Sequence, residues 1–245
     1  TARVVLDKPN SIFSEAIRSA RTGVTLSAID QSHRILVVTS SMPGEGKTTM
    51  AINLAMAHSQ TQRTLLIDAD MRRPAVTKGL ELPPGAKGLS NLVAGSATIN
   101  ECIQTIDGTQ LSVISSGTLP PNPLELLLSA RFKETLDLLA LRYETIIIDS
   151  PPVELVSDAL VIGTHATGVI YVVKAHETPY QLVRKGLTRI QRADGHLLGI
   201  ALNYFDFASA EKYHGDYSGY GKYGYGQSDY HATYGTQPKA PAAKA

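Results

Sequence analysis

The stretch Ser40-Ser41-Met42-Pro43-Gly44-Glu45-Gly46-Lys47-Thr48-Thr49 constrains this chain more than any other. It follows an apolar run, Arg34–Ser40, that reads as a strand, and leads into a helical pattern over Thr48–His58. Glycines at such a junction let the backbone wrap tightly, so that successive N–H groups point at one anion. The helix that follows adds the positive end of its dipole. These are the parts of a phosphate-binding loop, with Pro43, Gly44, Glu45, Gly46, Lys47, Thr48 and Thr49 as the nucleotide-binding residues. Lys47 would reach the β- and γ-phosphates of ATP, and the Thr48 hydroxyl would ligate Mg²⁺. The strict motif has glycine where this chain has Ser41.

The rest of the chain reads as the fold that such a loop belongs to. Further strands are expected at Thr64–Asp68, Leu111–Ser115, Tyr143–Asp149, Gly168–Val173 and Leu197–Asn203. Runs such as Ile146, Ile147, Ile148 do not alternate, as expected where a parallel sheet is covered on both faces. Helices are expected between them, at Leu124–Leu141 and Tyr180–Arg192 as well as after the loop. Strand and helix in repetition predict an α/β chain, a doubly wound, mostly parallel sheet of the P-loop NTPase type. With 245 residues, 43% of them hydrophobic, a single such domain is the natural size.

Two further segments point at the same end of the sheet. Leu65-Leu66-Ile67-Asp68-Ala69-Asp70-Met71-Arg72 puts two carboxylates and an arginine after one buried strand. Ile146-Ile147-Ile148-Asp149-Ser150-Pro151-Pro152 puts a third carboxylate after another. In doubly wound sheets ligands bind at the carboxyl ends of the strands. Asp68, Asp70 and Asp149 are therefore expected beside Lys47 and Thr48, where oxygen ligands and a substrate phosphate suit Mg²⁺. Arg72 is either a partner for phosphate or carboxylate, which its planar fork suits, or a surface arginine. Asn203 either reads the adenine or caps its strand.

The loop, the Leu-Leu-Ile-Asp-Ala-Asp-Met-Arg segment, the Ile-Ile-Ile-Asp-Ser-Pro-Pro segment and a terminal tyrosine cluster together resemble the bacterial tyrosine kinases. The resemblance runs from Glu15 to Tyr234 and implies an ATP- and Mg²⁺-dependent protein-tyrosine kinase. It gives Asp68 the part of the base that accepts the tyrosine proton, with Asp70 and Asp149 organising the metal; spacing alone does not separate the three roles. The seven tyrosines at 213, 217, 220, 223, 225, 230 and 234 would be the phosphate acceptors, modified between subunits. Read without the resemblance, Tyr213, Tyr217, Tyr220, Tyr223, Tyr225, Tyr230 and Tyr234 are acceptors or adhesive low-complexity stickers.

Glu15, Arg18 and Arg21 stand three apart in a helical stretch, Ser11–Ala28, and so share one broad face. They resemble the family's E-x-x-R-x-x-R motif, which implies subunit contact in a ring-like homo-oligomer. The resemblance further implies control of capsule or exopolysaccharide synthesis and export. It also implies a membrane-bound activator, fused or separate, a cognate phosphotyrosine phosphatase, and a cytoplasmic place at the inner face of the plasma membrane.

The expected organisation is a helical extension over 1–30, the kinase domain over 31–207, and a disordered tail over 208–245, where glycine is dense and aliphatic residues are nearly absent. Partition and septum-placement ATPases share the core fold and form the competing reading, a nucleotide switch. They carry an extra lysine where this chain has Met42. A net charge of +1 with scattered basic residues gives no nucleic-acid stripe. The lone Cys102 offers no disulfide framework, the histidines show no metal spacing, and no run reaches the roughly 20 apolar residues of a membrane span. The chain opens at Thr1 with no signal peptide and no initiator methionine, as a segment of a longer protein would; a membrane-anchored parent is compatible with this.

Overall fold

A computed structural model describes residues 2–27 and 34–205. Contacts divide the chain into one unit spanning Thr1–Asn203 and another spanning Tyr204–Ala245, and the first holds every element named here. The tail over 208–245, with its seven tyrosines, lies outside the described residues.

The elements run α1 (Val4–Asp7), α2 (Ile12–Ser27), β1 (Arg34–Ser40), α3 (Lys47–Ser59), β2 (Thr64–Asp68), α4 (Val76–Gly79), α5 (Leu89–Ala94), α6 (Ile99–Cys102) and β3 (Ile103–Thr105). There follow β4 (Leu111–Ile114), α7 (Pro123–Leu128), α8 (Ala130–Ala140), β5 (Thr145–Asp149), α9 (Asp158–Thr164), β6 (Gly168–Lys174), α10 (Tyr180–Arg192) and β7 (Leu197–Asn203). The strands form one sheet in the order β3-β4-β2-β5-β1-β6-β7. All neighbours are parallel except β3, which runs antiparallel to β4. The doubly wound α/β fold is thus present, and the non-alternating runs are its middle: every residue of β2, β4 and β5 is buried.

Two apolar clusters lie on the two faces. One gathers Ile35, Val37, Leu65, Ile67, Ile146 and Ile148 with Phe132, Leu136 and Leu139 of α8. The other gathers Leu36, Val38, Leu66 and Ile147 with Ile52, Leu54 and Met56 of α3. Alternate strand residues feed opposite faces, which is why both sides had to be apolar.

Helix α3 is apolar nearly all round because the chain's front covers its outer side. Ile17 and Val24 of α2 are buried in the α3 cluster, with Phe13 packed beside them. Asn53 of α3 is buried and bonded: its Nδ2 donates to the Ala2 carbonyl at 2.6 Å, and its Oδ1 accepts from the Val5 amide at 2.9 Å. Ser11 caps α2 by accepting from the Ser14 amide at 3.1 Å.

Where the elements differ from expectation, the cause is local. The helix expected over Leu124–Leu141 breaks at Ser129, whose extended backbone (φ −71°, ψ 148°) ends α7 and whose hydroxyl accepts from the Phe132 amide to start α8. The strand β3 is three residues long and only partly buried, below the length at which a pattern becomes legible. Among the described residues no helix is long and apolar enough to cross a membrane.

Candidate active site

The loop between β1 and α3 turns on Gly44 (φ +87°) and Gly46 (φ +91°), backbone angles that a side chain disfavours. Among the described residues, the amides of Gly44, Glu45, Gly46, Lys47, Thr48 and Thr49 donate to no protein acceptor. Such amides at a helix start are suited to bind an anion.

Three braces hold the loop, and sequence reasoning missed all three. Glu45 is buried (3% exposed) and turns inward. Its Oε2 accepts from the Met42 amide at 2.6 Å, and its Oε1 from the Thr178 hydroxyl after β6. Asn203, at the end of β7, donates to the Glu45 carbonyl at 2.9 Å, so it fixes the loop from a strand 158 residues away. Ser41 explains the departure from glycine: it is fully buried and its hydroxyl lies 2.9 Å from that of Tyr171 on β6. Burial pushes the Tyr171 phenol up to about 12, so it stays neutral. Gly186 of α10 makes the room, since a Cβ there would collide with the Tyr171 hydroxyl.

Strands β2 and β5 are neighbours, and their last residues, Asp68 and Asp149, are register partners. Lys47 lies between carboxylates, with Nζ 3.1 Å from Asp70 Oδ2 and 3.4 Å from Asp149 Oδ1. The Thr48 hydroxyl donates to Asp149 Oδ2 at 2.6 Å. Asp68 is held differently: Oδ2 accepts from the amides of Ala75 and Val76, both at 3.0 Å, and Oδ1 from the Asp70 amide at 3.2 Å. Asp70 Oδ1 closes the turn by accepting from the Arg73 amide at 2.9 Å. Arg72 grips Asp158, at 2.9 Å through Nε and 3.1 Å through Nη2.

Electrostatics follow from burial. Burial, then repulsion from Asp149, lifts Asp68 to about 7 against the pull of the Val76 and Ala75 amides and of Lys47. Asp149 is also raised, chiefly by burial, with Lys47 and Thr48 opposing. For Lys47 burial acts to lower the pKa, but Asp149 and Asp70 outweigh it and the net shift is upward. The ammonium thus stands where positive charge is wanted.

Among the described residues no group of three His, Cys, Asp or Glu side chains converges to hold a metal ion. Asp68, Asp70 and Asp149, expected from the sequence to gather around one ion, do not form such a group: both Asp68 oxygens are taken by the amides of Asp70, Ala75 and Val76, while Asp70 and Asp149 lie on Lys47. The Thr48 hydroxyl on Asp149, with Asp70 across Lys47, is an all-oxygen set beside the loop amides, and fits Mg²⁺ on a triphosphate, an ion that takes few protein ligands and completes its shell with water and phosphate oxygens. The front residues lie apart from this site. Arg18 bonds Glu15 Oε2 at 2.7 Å and the Pro9 carbonyl at 2.5 Å, and Arg21 donates to the Ala57 carbonyl of α3 at 2.8 Å.

Comparison with known proteins places this geometry. The family profile described as an AAA domain matches residues 33–194, more than half of the chain. The chain is 33% identical over 201 residues to the tyrosine-protein kinase YwqD of Bacillus subtilis, covering 82% of this chain and 84% of that one. It is 34% identical to the tyrosine-protein kinase wzc of Salmonella typhimurium, covering 93% of this chain but 30% of that one. The solved kinase domain of the Escherichia coli tyrosine kinase ETK superposes with a TM-score of 0.78 at 31% identity, covering 82% of this chain and 78% of that one. The septum site-determining protein MinD of Pyrococcus horikoshii shares the fold alone, at 21% identity and a TM-score of 0.60, over 74% of this chain and 76% of that one.

Proposed function

Because the chain belongs to the bacterial protein-tyrosine kinases, we propose that it phosphorylates the tyrosine cluster of its own C-terminal segment, one copy acting on the next. The observation that carries this reading is the Asp68–Asp149 register pair beside Lys47, opposite a loop of unbonded amides. Bound MgATP would supply the phosphoryl group and a divalent cation. The loop amides and Lys47 bind and neutralise phosphate oxygens; Thr48, Asp149 and Asp70 order the cation and its waters. Asp68 accepts the acceptor's phenolic proton. Its pKa of about 7 suits a base working near neutrality, against an ordinary tyrosine value of about 10.

The acceptors are Tyr213, Tyr217, Tyr220, Tyr223, Tyr225, Tyr230 and Tyr234. Each phosphate adds about −1.5 to −2 charges. The segment is otherwise close to neutral, with Asp206, Glu211, Asp216 and Asp229 against Lys212, Lys222, Lys239 and Lys244, so accumulated phosphate repels neighbouring subunits. Glu15, Arg18 and Arg21 are proposed as the contact that brings a neighbour's segment to this site, and Arg21 also ties α2 to α3. Attachment to a membrane through a fused or separate activator fits the lengths of the relatives: the same stretch makes up most of YwqD but 30% of wzc. Polysaccharide synthesis and export is the process proposed to be served, and a phosphatase resets the segment. Met42 speaks against the nucleotide-switch reading, because a methionine cannot supply the bridging cation of a sandwich dimer.

The test mixes two chains, one Lys47→Met with an intact tail and one active with all seven tail tyrosines changed to phenylalanine. With MgATP, mass spectrometry is expected to find phosphotyrosine on the Lys47→Met chain. Phosphate release with an unmodified tail would overturn the proposal and return the switch. Sedimentation would then compare assemblies before and after phosphorylation, with smaller ones expected after.

A further inference from the structure

Asp158 carries no motif and was not singled out by sequence. Its side chain is fully buried in the first turn of α9, a helix packed against β1 and α7, yet it receives both prongs of Arg72 from 86 residues away. Arg72 follows Asp70 by two residues, inside the turn that Asp70 closes on the Arg73 amide. The same Asp70 carboxylate touches Lys47 at 3.1 Å. On the other side, the loop ending at Asp158 begins at Asp149, which touches Lys47 and Thr48. The pair therefore ties together the two loops that leave the in-register ends of β2 and β5. We propose that Asp158 is a positioning residue for this site: through Arg72 it holds the Asp70 turn and the loop after Asp149 at the spacing that magnesium-bound nucleotide requires.

The physical grounds are geometric. A guanidinium gripping one carboxylate through two nitrogens fixes orientation as well as distance. One end of this pair is exposed, with the Arg72 side chain at 40%, and the other is not, with Asp158 at 0%. Asp158 thus acts as the fixed post and the Asp70 turn as the part held. Without the tie, the turn keeps its own Arg73 bond but loses its anchor to α9. Asp70 then faces Lys47 at a variable distance, and the cation site loosens. Arg72 is on this view not a group that touches phosphate, and Asp158 acts only through it.

This inference rests on the kinase reading of the site, and nucleotide binding tests it independently of phosphotransfer. Wild type, Asp158→Asn, Arg72→Gln and the double variant would be titrated with Mg²⁺ in the presence of a fluorescent ATP analogue, with melting curves alongside. Each single variant is expected to need about tenfold more Mg²⁺ for half-maximal binding, as losses of groups that orient a metal's ligands do. The double variant is expected to be no worse than either single one. An unshifted Mg²⁺ midpoint in Asp158→Asn, even with a lowered Tm, would reduce the pair to fold support and overturn the proposal. So would a double variant whose loss is the product of the two single losses, since Arg72 would then act without Asp158. If Asp158→Asn does not fold, Arg72→Gln carries the test from the exposed side, and an unchanged midpoint there overturns it equally. Shifted midpoints in a protein whose tail stays unphosphorylated would uphold this inference and sink the proposed function instead.

Discussion

The two ends of helix α3 differ in nearly every respect that matters for stability. At its start, Lys47 is crowded by carboxylates, two of those side chains are raised in pKa, and the leading amides have no protein partner among the described residues. At its end, His58 is buried (1% exposed), its Nδ1 lies 3.0 Å from Gln62 Nε2, and Gln62 in turn bonds Thr145 at 2.6 Å. Arg21 of α2 meets the Ala57 carbonyl there, a cation at the negative end of the helix dipole. One end presents amides and charge toward a ligand; at the other the protein's own side chains meet the helix. The lesson is that charge crowding at the loop is tolerated because the helix is secured elsewhere.

The largest effect expected from breaking this contrast is at Lys47. Lys47→Met removes the only ammonium between Asp70 and Asp149 among the described residues, and tail phosphorylation should fall by at least about 10³-fold in a radiolabel assay. The same variant should lose the rise in Tm that saturating MgATP gives wild type.

Asp68→Asn separates function from stability. Phosphotransfer should fall by about 10²-fold or more, since the proton acceptor is gone. Stability should instead depend on pH. The folded pKa of about 7 lies above the ordinary carboxylate value, so the native state holds this proton more tightly than the unfolded chain. Stability from this group is present below about pH 4 and lost as pH rises toward 7. Without nucleotide, the Tm of Asp68→Asn relative to wild type should therefore rise between pH 4 and pH 8, on top of a pH-independent loss for the amide hydrogen bonds that the Asn NH₂ cannot accept.

His58 carries the opposite sign. Burial, aided by Arg21 and Arg34, lowers it to about 4, so the unfolded chain binds the proton first. Its contribution is complete above about pH 6.5 and is lost as pH falls toward 4, by an amount on the order of 2–3 kcal/mol. His58→Leu should flatten that acid limb in melting curves while leaving phosphotransfer at pH 7.5 within twofold.

The smallest effect is expected at Arg21. Arg21→Met loses one bond to a helix-end carbonyl, about 1 kcal/mol, or a Tm lowered by 2–4 °C in a chain of this size. A larger fall in subunit association than in Tm would sharpen its proposed second role.

The sequence by itself determined the strands β1, β2, β4, β5, β6 and β7 to within two residues, the phosphate loop, and the aspartates at the strand ends. Those features are local: unbroken apolar runs, glycines at a turn, and a lysine at a helix start report on residues a few positions away. Tertiary structure decided what the loops do to one another. Arg72 meets Asp158 across 86 residues, Ser41 meets Tyr171 across 130, and Asn203 meets Glu45 across 158. Which loops become neighbours is set by the order β4-β2-β5-β1-β6-β7. No periodicity encodes that order, because it emerges only when the two faces of the sheet are filled at once. A polar side chain after a strand looks the same in sequence whether it will bind a ligand, brace a loop or face water; only its neighbours across the sheet decide which.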